Sequence, residues 1–276
     1  MKIPASVGIL TYNSAGTLRQ ALESVRDFED IILCDGGSTD GTLEIGKSFG
    51  ARILPQDPSF SRPEGGLNDF AGVRNQCLAA ATYDWFLYID SDETISDGLR
   101  ENIRAIVART YQEGEVLVYR IPIGIMMDGR YIKYSSNYPG YQFRFFNKKS
   151  GAQYMRPVHE RIFFDETQVK VGTLKHPWYI HTTREHWKNY VQENSYYLTL
   201  QVQKACASTW GTYFRGTVLS HLRMSLGVVL KASRQYVLHG FRDAIPVQGE
   251  VGRALMPLLL IGKTLRCKLS RAQSHA

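Results

Sequence analysis

The sequence predicts an α/β fold, a mostly parallel sheet flanked by helices, with a helical extension at the C-terminus. Three observations carry this prediction. Short apolar runs alternate with stretches of helical period over the first 110 residues. Polar clusters stand where the apolar runs stop. From Arg184 onward the pattern is helical to the end.

Taken in order, Ser6 to Leu10 is a short apolar run that ends at Thr11-Tyr12-Asn13. Leu18, Ala21, Leu22 and Val25 follow at helical spacing, with Ser14 expected as the N-cap. Ile31 to Cys34 reads as a second buried strand, stopped by Asp35-Gly36-Gly37-Ser38-Thr39-Asp40-Gly41. A helix from Thr42 to about Phe49 precedes a third strand, Ala51 to Leu54. Asp69 to Ala81 reads as helix, Trp85 to Ile89 as strand and Asp97 to Arg109 as helix, the rhythm of βαβ units. Strands and loops take over after Val116-Leu117-Val118-Tyr119, at Tyr138 to Phe146 and Val158 to Phe164. In the helical tail, Leu219, Leu222, Leu226, Val229 and Val237 fall on or near one stripe, with Arg215, Arg223, Lys231, Arg234 and Arg242 as cationic complement.

At 276 residues the chain has room for one sizeable α/β domain and an appendage, divided here as 1–203 and 204–276. A hydrophobic fraction of 43% and a charged fraction of 21% exclude a disordered chain. Cys34, Cys77, Cys206 and Cys267 are scattered without a CxxC pair, so reduced thiols in a cytoplasmic protein are expected. Met1 to Pro4 runs directly into a strand, the expectation of no signal peptide. The longest apolar stretch, Leu255 to Gly262, is far short of the roughly 20 residues a membrane-spanning helix needs.

The net charge of +7 is unevenly placed: residues 204–276 hold 11 Lys/Arg against Asp243 and Glu250, a balance of +9, and the rest balances at −2. A basic, amphipathic tail implies an anionic surface, and we expect a helical hairpin lying on the membrane, with Leu255 to Ile261 inserted shallowly. The alternative is a helical cap with its charges in water. Nucleic acid as partner would leave the N-terminal polar clusters without a role.

The chemistry centres on Asp90-Ser91-Asp92, directly after the apolar Trp85-Phe86-Leu87-Tyr88-Ile89. Carboxylates on alternate residues behind a strand can converge on one divalent cation and leave positions open for phosphate oxygens. An isolated D-x-D is more often a solvated turn; its place behind a buried strand in a βαβ array reverses that weighting.

Four blocks together, Thr11-Tyr12-Asn13, Asp35 to Gly41, Ala71-Gly72-Val73-Arg74-Asn75 and Tyr88 to Glu93, resemble the family 2 inverting glycosyltransferases of GT-A fold in order and spacing. The resemblance implies a nucleotide-sugar donor, commonly UDP-linked, and Mn²⁺ or Mg²⁺. It implies that Thr11, Tyr12 and Asn13 line the nucleotide pocket, that Asp35 accepts from the base edge, and that Arg74, supported by Asn75, approaches the pyrophosphate. Asp92 would be the direct metal ligand, with Asp90 shared between metal and ribose. Gly36 stands where the family more often has a second acidic residue.

Tyr138 to Phe146 and Arg156-Pro157-Val158-His159-Glu160 resemble the branch related to lipopolysaccharide-core β-glucosyltransferases. In that branch the His-Glu pair takes the catalytic-base position, which makes Glu160 the base and His159 its orienter or substitute. An inverting transfer needs one such base for the acceptor hydroxyl. The acceptor implied is a glycolipid or other lipid-linked glycan, met at the inner face of the plasma membrane. His181 is the expected third metal ligand, with His176 as competitor and a satisfied core histidine as the plain reading. The segment Phe60 to Asn68 reads either as a loop over the donor or as a simple connection. A sugar nucleotidyltransferase would begin with a glycine-rich, cationic phosphate loop that Thr11-Tyr12-Asn13 does not provide; a non-catalytic nucleotide-sugar binder shares every feature.

Overall fold

The computed structural model describes residues 2–61, 67–109, 114–137, 140–155 and 161–274. In chain order the elements are β1 (Ile3–Thr11), α1 (Leu18–Val25), β2 (Phe28–Asp35), α2 (Thr42–Ser48), β3 (Arg52–Pro55), α3 (Phe70–Ala79), β4 (Trp85–Asp90), β5 (Glu93–Ile95) and α4 (Asp97–Val107). They continue as β6 (Val116–Met127), β7 (Arg130–Ile132), β8 (Tyr141–Asn147), β9 (Gln153–Met155), β10 (Arg161–Phe163), β11 (Lys170–Thr173) and β12 (Trp178–Thr182). The helical end comprises α5 (Arg184–Lys188), α6 (Tyr190–Glu193), α7 (Ser195–Cys206), α8 (Trp210–Thr212), a π-helical turn Tyr213–Leu219, α9 (Ser220–His239) and α10 (Val247–Ser274).

Two compact units result. One contains residues 1–124 and 139–181, the other residues 125–138 and 182–276. The second unit is therefore larger than the stretch 204–276, and Lys204 falls inside α7.

In the first unit the sheet runs β3-β2-β1-β4-β8-β6-β12-β5. The β3, β2, β1 and β4 strands are mutually parallel, while β8 is antiparallel to both β4 and β6. This is the α/β, GT-A-type architecture expected. Side chains alternate across the sheet because the strand period is two. Ile31, Leu33, Leu87 and Ile89 join Leu18, Leu22, Val25, Leu99 and Ile103 on one face. Ile32, Cys34, Phe86 and Tyr88 meet Val73 and Cys77 of α3 on the other. The approach of α3 explains Gly8 inside β1: a Cβ there would stand 2.6 Å from Phe86 Cζ and 2.7 Å from Cys77 Sγ.

Ser14 does not cap α1, whose N-cap is Thr17 without a side-chain bond. Its hydroxyl instead accepts from Tyr12 N (3.2 Å) and Ser91 Oγ (3.0 Å), so it ties two loops together.

In the second unit the end of β6 pairs with β7, and Met127, Ile132, Trp187 and Ile245 form a small core. Glu250, buried in the first turn of α10, accepts from Ser136 N (2.8 Å) and Ser136 Oγ (2.6 Å). The expectation of four reduced thiols is overturned here: Cys206 and Cys267 form a disulfide across 61 residues, while Cys34 and Cys77 are free and buried. Packing of α7 against α10 brings the two sulfurs together, which spacing along the chain could not disclose. With that disulfide the cysteines give no argument for a reducing compartment. No described helix is long and apolar enough to cross a membrane. Within 255–261, Leu255 and Leu258 are exposed but Pro257 and Leu260 are buried, so that run is not a uniformly outward face.

Candidate active site

Parallel register places the key residues in one row. Thr11 lies opposite Asp35, and Leu10 opposite Asp90, so β1, β2 and β4 deliver three polar ends to the same sheet edge. In an open α/β sheet this carboxyl edge is where ligands bind.

The first two loops are stitched to each other. Asp35 is buried and accepts from Thr11 Oγ1 (2.8 Å), Gly37 N (2.9 Å), Ser38 N (2.8 Å) and Ser38 Oγ (2.5 Å). A carboxylate offers about four acceptor positions, so a nucleobase contact at Asp35 has to compete with its own turn. Asn13 adopts φ +48°, a left-handed conformation asparagine tolerates, and its Oδ1 accepts from Thr39 N at 2.8 Å. Asn13 N in turn donates to Ser38 Oγ at 2.9 Å. Tyr12 is 65% exposed beside this turn, an aromatic face open to stacking. At Gly36 an added Cβ would meet Gln56 Oε1 at 3.0 Å and Tyr12 Cδ2 at 3.3 Å. Gln56, anchored by donating to Cys34 O (2.9 Å), thus occupies the space a longer residue at 36 would need.

Arg74 is buried, not on a solvated helix face. Its guanidinium lies 3.5 Å from the Tyr88 ring centroid, and Nη2 is 3.5 Å from Asp90 Oδ1. Tyr88 OH also donates to Asp90 Oδ1. The neighbouring Asn75 pairs both ways with Tyr154, donating to its carbonyl (2.9 Å) and accepting from its N–H (2.8 Å). That clamp fixes β9 to α3. His159 and Glu160, the expected base pair, lie outside the described residues.

Two residues that were not singled out from the sequence organise the acidic end of β4. Arg144 on β8 forms a bidentate, buried pair with Glu93, at 2.8 and 3.1 Å. Glu93 Oε2 also accepts from Asp90 N (2.8 Å), and Arg144 stacks 4.0 Å from the Trp178 ring. Arg144 Nη1 stands 3.9 Å from Asp90 Oδ2. Burial would lower the Arg144 pKa, yet Glu93 and Asp90 raise it, so it stays cationic. Burial pushes the Glu93 carboxyl up, opposed by Arg144 and reinforced by the charges of Asp90 and Asp92. Glu93 closes the Tyr88 to Glu93 block, but its arginine partner 51 residues away leaves no local signal.

Asp92 is exposed as a residue, although protein around its carboxyl desolvates it; that and the Asp90 charge raise its pKa. His181 is half-buried with Nε2 2.8 Å from Thr94 Oγ1. Desolvation lowers its pKa against an opposing pull from Asp92, leaving it a neutral imidazole at pH 7. His176 is exposed and packs on Gly98.

Among the described residues no cluster of three or more His, Cys, Asp or Glu side chains is arranged to hold a metal. The donor set nevertheless fits a divalent cation in a more open form. Asp90, Asp92 and Glu93 place three carboxyl groups beside the guanidinium groups of Arg74 and Arg144, and desolvation first, then the Asp90 charge, raises the pKa of Asp92. Asp90 and Asp92 would serve a cation whose remaining ligands come from phosphate.

The family model for glycosyl transferase family 2 matches residues 6–167. An uncharacterized glycosyltransferase of Rickettsia typhi is 31% identical over 125 residues, 45% of this chain and 39% of that protein. The prophage-derived glycosyltransferase SunS of Bacillus subtilis is 35% identical over 107 residues, covering 38% of this chain and 24% of its own. The chain thus spans well under half the length of these curated relatives. Among solved structures, glucosyl-3-phosphoglycerate synthase of Mycobacterium tuberculosis, crystallised with Mn²⁺, UDP and glucosyl-3-phosphoglycerate, aligns over 43% of each chain at 20% identity and TM-score 0.33. TarS of S. aureus aligns over 97% of this chain and 54% of its own at 15% identity and TM-score 0.44.

Proposed function

Because the chain belongs to glycosyl transferase family 2, we propose that it transfers a hexose with inversion from a UDP-linked donor to a hydroxyl of a lipopolysaccharide-core or other lipid-linked glycan. The observation that carries this reading is the shared sheet edge. Thr11, Asp35 and Asp90-Ser91-Asp92 end adjacent parallel strands, with the buried Arg74 guanidinium against Asp90.

In this reading the exposed Tyr12 ring and the loop ordered by Asn13 and Asp35 receive the nucleotide. Arg74 lies within reach of Asp90 and supplies positive charge towards the diphosphate. Asp92 and Asp90, with His181 nearby, would hold Mn²⁺ or Mg²⁺, which neutralises the charge growing on the leaving diphosphate. The acceptor oxygen attacks the anomeric carbon from the face opposite the diphosphate. As that C–O bond forms, the bond to the diphosphate breaks, and the acceptor proton passes to Glu160, oriented by His159. The Glu93–Arg144 pair keeps the Asp90 backbone in place throughout. Residues 204–276 meet an anionic membrane surface, where a lipid-linked acceptor resides; a cytoplasmic location follows from the nucleotide-sugar donor, not from the cysteines.

Calorimetry with UDP-sugars and Mn²⁺, paired with mass-spectrometric detection of donor hydrolysis, tests the reading. Wild-type protein should bind and slowly hydrolyse at least one donor. Asp92→Ala should lose metal-dependent binding by about 10-fold or more, the scale of a lost charged ligand. Glu160→Gln should retain binding and lose transfer. Absence of binding to any UDP-sugar rejects the donor, and full transfer by Glu160→Gln rejects the base.

A further inference from the structure

The α9 helix is built inside out. Its buried residues are Ser225, Ala232 and Gln235, small or polar, and Ser225 Oγ donates to Ala254 O of α10 at 2.8 Å. Val228 and Tyr236 are half-buried, but several of its large apolar residues face away from that contact. Leu222, Leu226, Leu230 and Val237 repeat at intervals of four, four and seven residues, which at 3.6 residues per turn is one stripe. They are 46%, 59%, 61% and 84% exposed. Scattered exposed leucines need no explanation, but a continuous stripe opposite a polar packing face does.

The chemistry beside the stripe selects its partner. Arg223, Lys231 and Arg234 are exposed, make no ion pair among the described residues, and α9 contains no Asp or Glu. A second copy of the chain would set these cations against their own kind in an antiparallel two-fold contact, and α9 offers them no anion in a parallel one. A phospholipid surface offers hydrocarbon to the leucines and anionic headgroups to the flanking cations. No described helix can span a bilayer, so a helix of this pattern lies along the surface.

We propose that the outward stripe Leu222–Leu226–Leu230–Val237 of α9, flanked by Arg223 and Arg234, is the face by which the protein docks on an anionic membrane. This rests on the proposed membrane partner and narrows it from the whole basic tail to one face of one helix, in place of the run 255–261.

Co-sedimentation of the full chain with vesicles of phosphatidylcholine alone, or of phosphatidylcholine mixed with anionic phosphatidylglycerol, tests it. Wild-type protein should bind the anionic vesicles and little of the neutral ones, and rising salt should release it. The triple variant Leu222→Ser/Leu226→Ser/Leu230→Ser should lose at least about tenfold in partitioning, the scale of withdrawing three leucines from hydrocarbon. Its melting temperature should be unchanged because the stripe is exposed. Val237→Glu, a single change at the most exposed position, gives a second measure if the triple variant folds poorly. Leu269→Ser on α10 should bind as wild type does. Wild-type binding that both α9 variants retain, or that Leu269→Ser alone removes, overturns the α9 assignment and leaves the membrane reading standing. No vesicle binding by wild type overturns both. A wild-type dimer that the triple variant splits, without vesicle binding, assigns the stripe to a second copy. Donor binding by calorimetry is independent of every one of these outcomes.

Discussion

Two groups of carboxyl side chains in the first unit differ in how well they are matched. Asp30 receives Arg52 Nε (2.9 Å) and Nη2 (3.1 Å), Ser6 Oγ (2.7 Å) and Thr82 N (2.9 Å). Burial alone would raise its pKa, but these donors hold it below the usual aspartate value. Asp92 and Glu93 are instead raised, first by desolvation and then by neighbouring carboxylate charge, with Arg144 opposing. Asp30 is held as an anion by its partners; the acids at the end of β4 are not fully stabilised as anions by theirs. For Asp30 the sign is definite. A lowered folded pKa gives stability that is present above the unfolded value, about 3.9, and lost as pH falls through the folded value. Asp30→Asn should therefore cost about 2 kcal/mol at pH 7, the scale of charge-assisted hydrogen bonds. The deficit should shrink below about pH 4, where the unfolded wild-type chain takes up a proton that the folded carboxylate still resists. Urea denaturation of both proteins at pH 7 and pH 3.5 measures this, and an equal gap at both pH values contradicts it.

At the scale of elements, α7 and α10 are joined by the Cys206–Cys267 disulfide, and buried Lys268 donates to the carbonyls of Cys206 and Ser208 beside it. Closing a loop of this size in the unfolded chain is worth typically 2–4 kcal/mol. Reduction should lower the melting temperature, and Cys206→Ser/Cys267→Ser should melt like the reduced wild type and ignore reductant. Calorimetric scans with and without a phosphine reductant check both; a reductant-insensitive wild type argues against the bond. What was legible in the sequence follows the same physics. Leu18, Ala21, Leu22 and Val25 announced α1 because its buried face is a local periodicity, and all four are buried. The Asp90-Ser91-Asp92 turn was legible because a buried strand leads straight into it. The Arg144–Glu93 pair depends on antiparallel placement of β8, and the disulfide on a helix pairing 61 residues apart, so neither leaves a local mark. For α9 the period was visible but its direction was not: a stripe shows which residues share a face, not whether that face points inward.

At the scale of the whole molecule, the second unit is assembled from two distant stretches, 125–138 and 182–276. Its contacts cross residue 203 repeatedly. Trp187 packs on Ile245, Ile132 and Met127, and a Cβ at Gly249 would collide with the Trp187 ring at 2.8 Å. Glu250 satisfies the backbone of Ser136, and Asp243 O accepts from Lys133 N and Tyr134 N at 3.0 Å each. A chain ending at residue 203 therefore keeps the β6–β7 hairpin, α5, α6 and most of α7 but strips away the surface that covers them. The N–H and hydroxyl of buried Ser136 lose their acceptor, each at about 1–3 kcal/mol, and Trp187 is left to solvent. The 1–203 truncation should express poorly, bind a hydrophobic dye and be cut by protease within 182–203. The first unit's core clusters draw only on residues 3–180 and remain intact. Limited proteolysis with mass mapping distinguishes the outcomes. Cleavage confined to residues 182–203, with a resistant fragment upstream, is the expected pattern. A truncation as protease-resistant as the full chain would show that residues 204–276 are an appendage and that the unit completes itself without them.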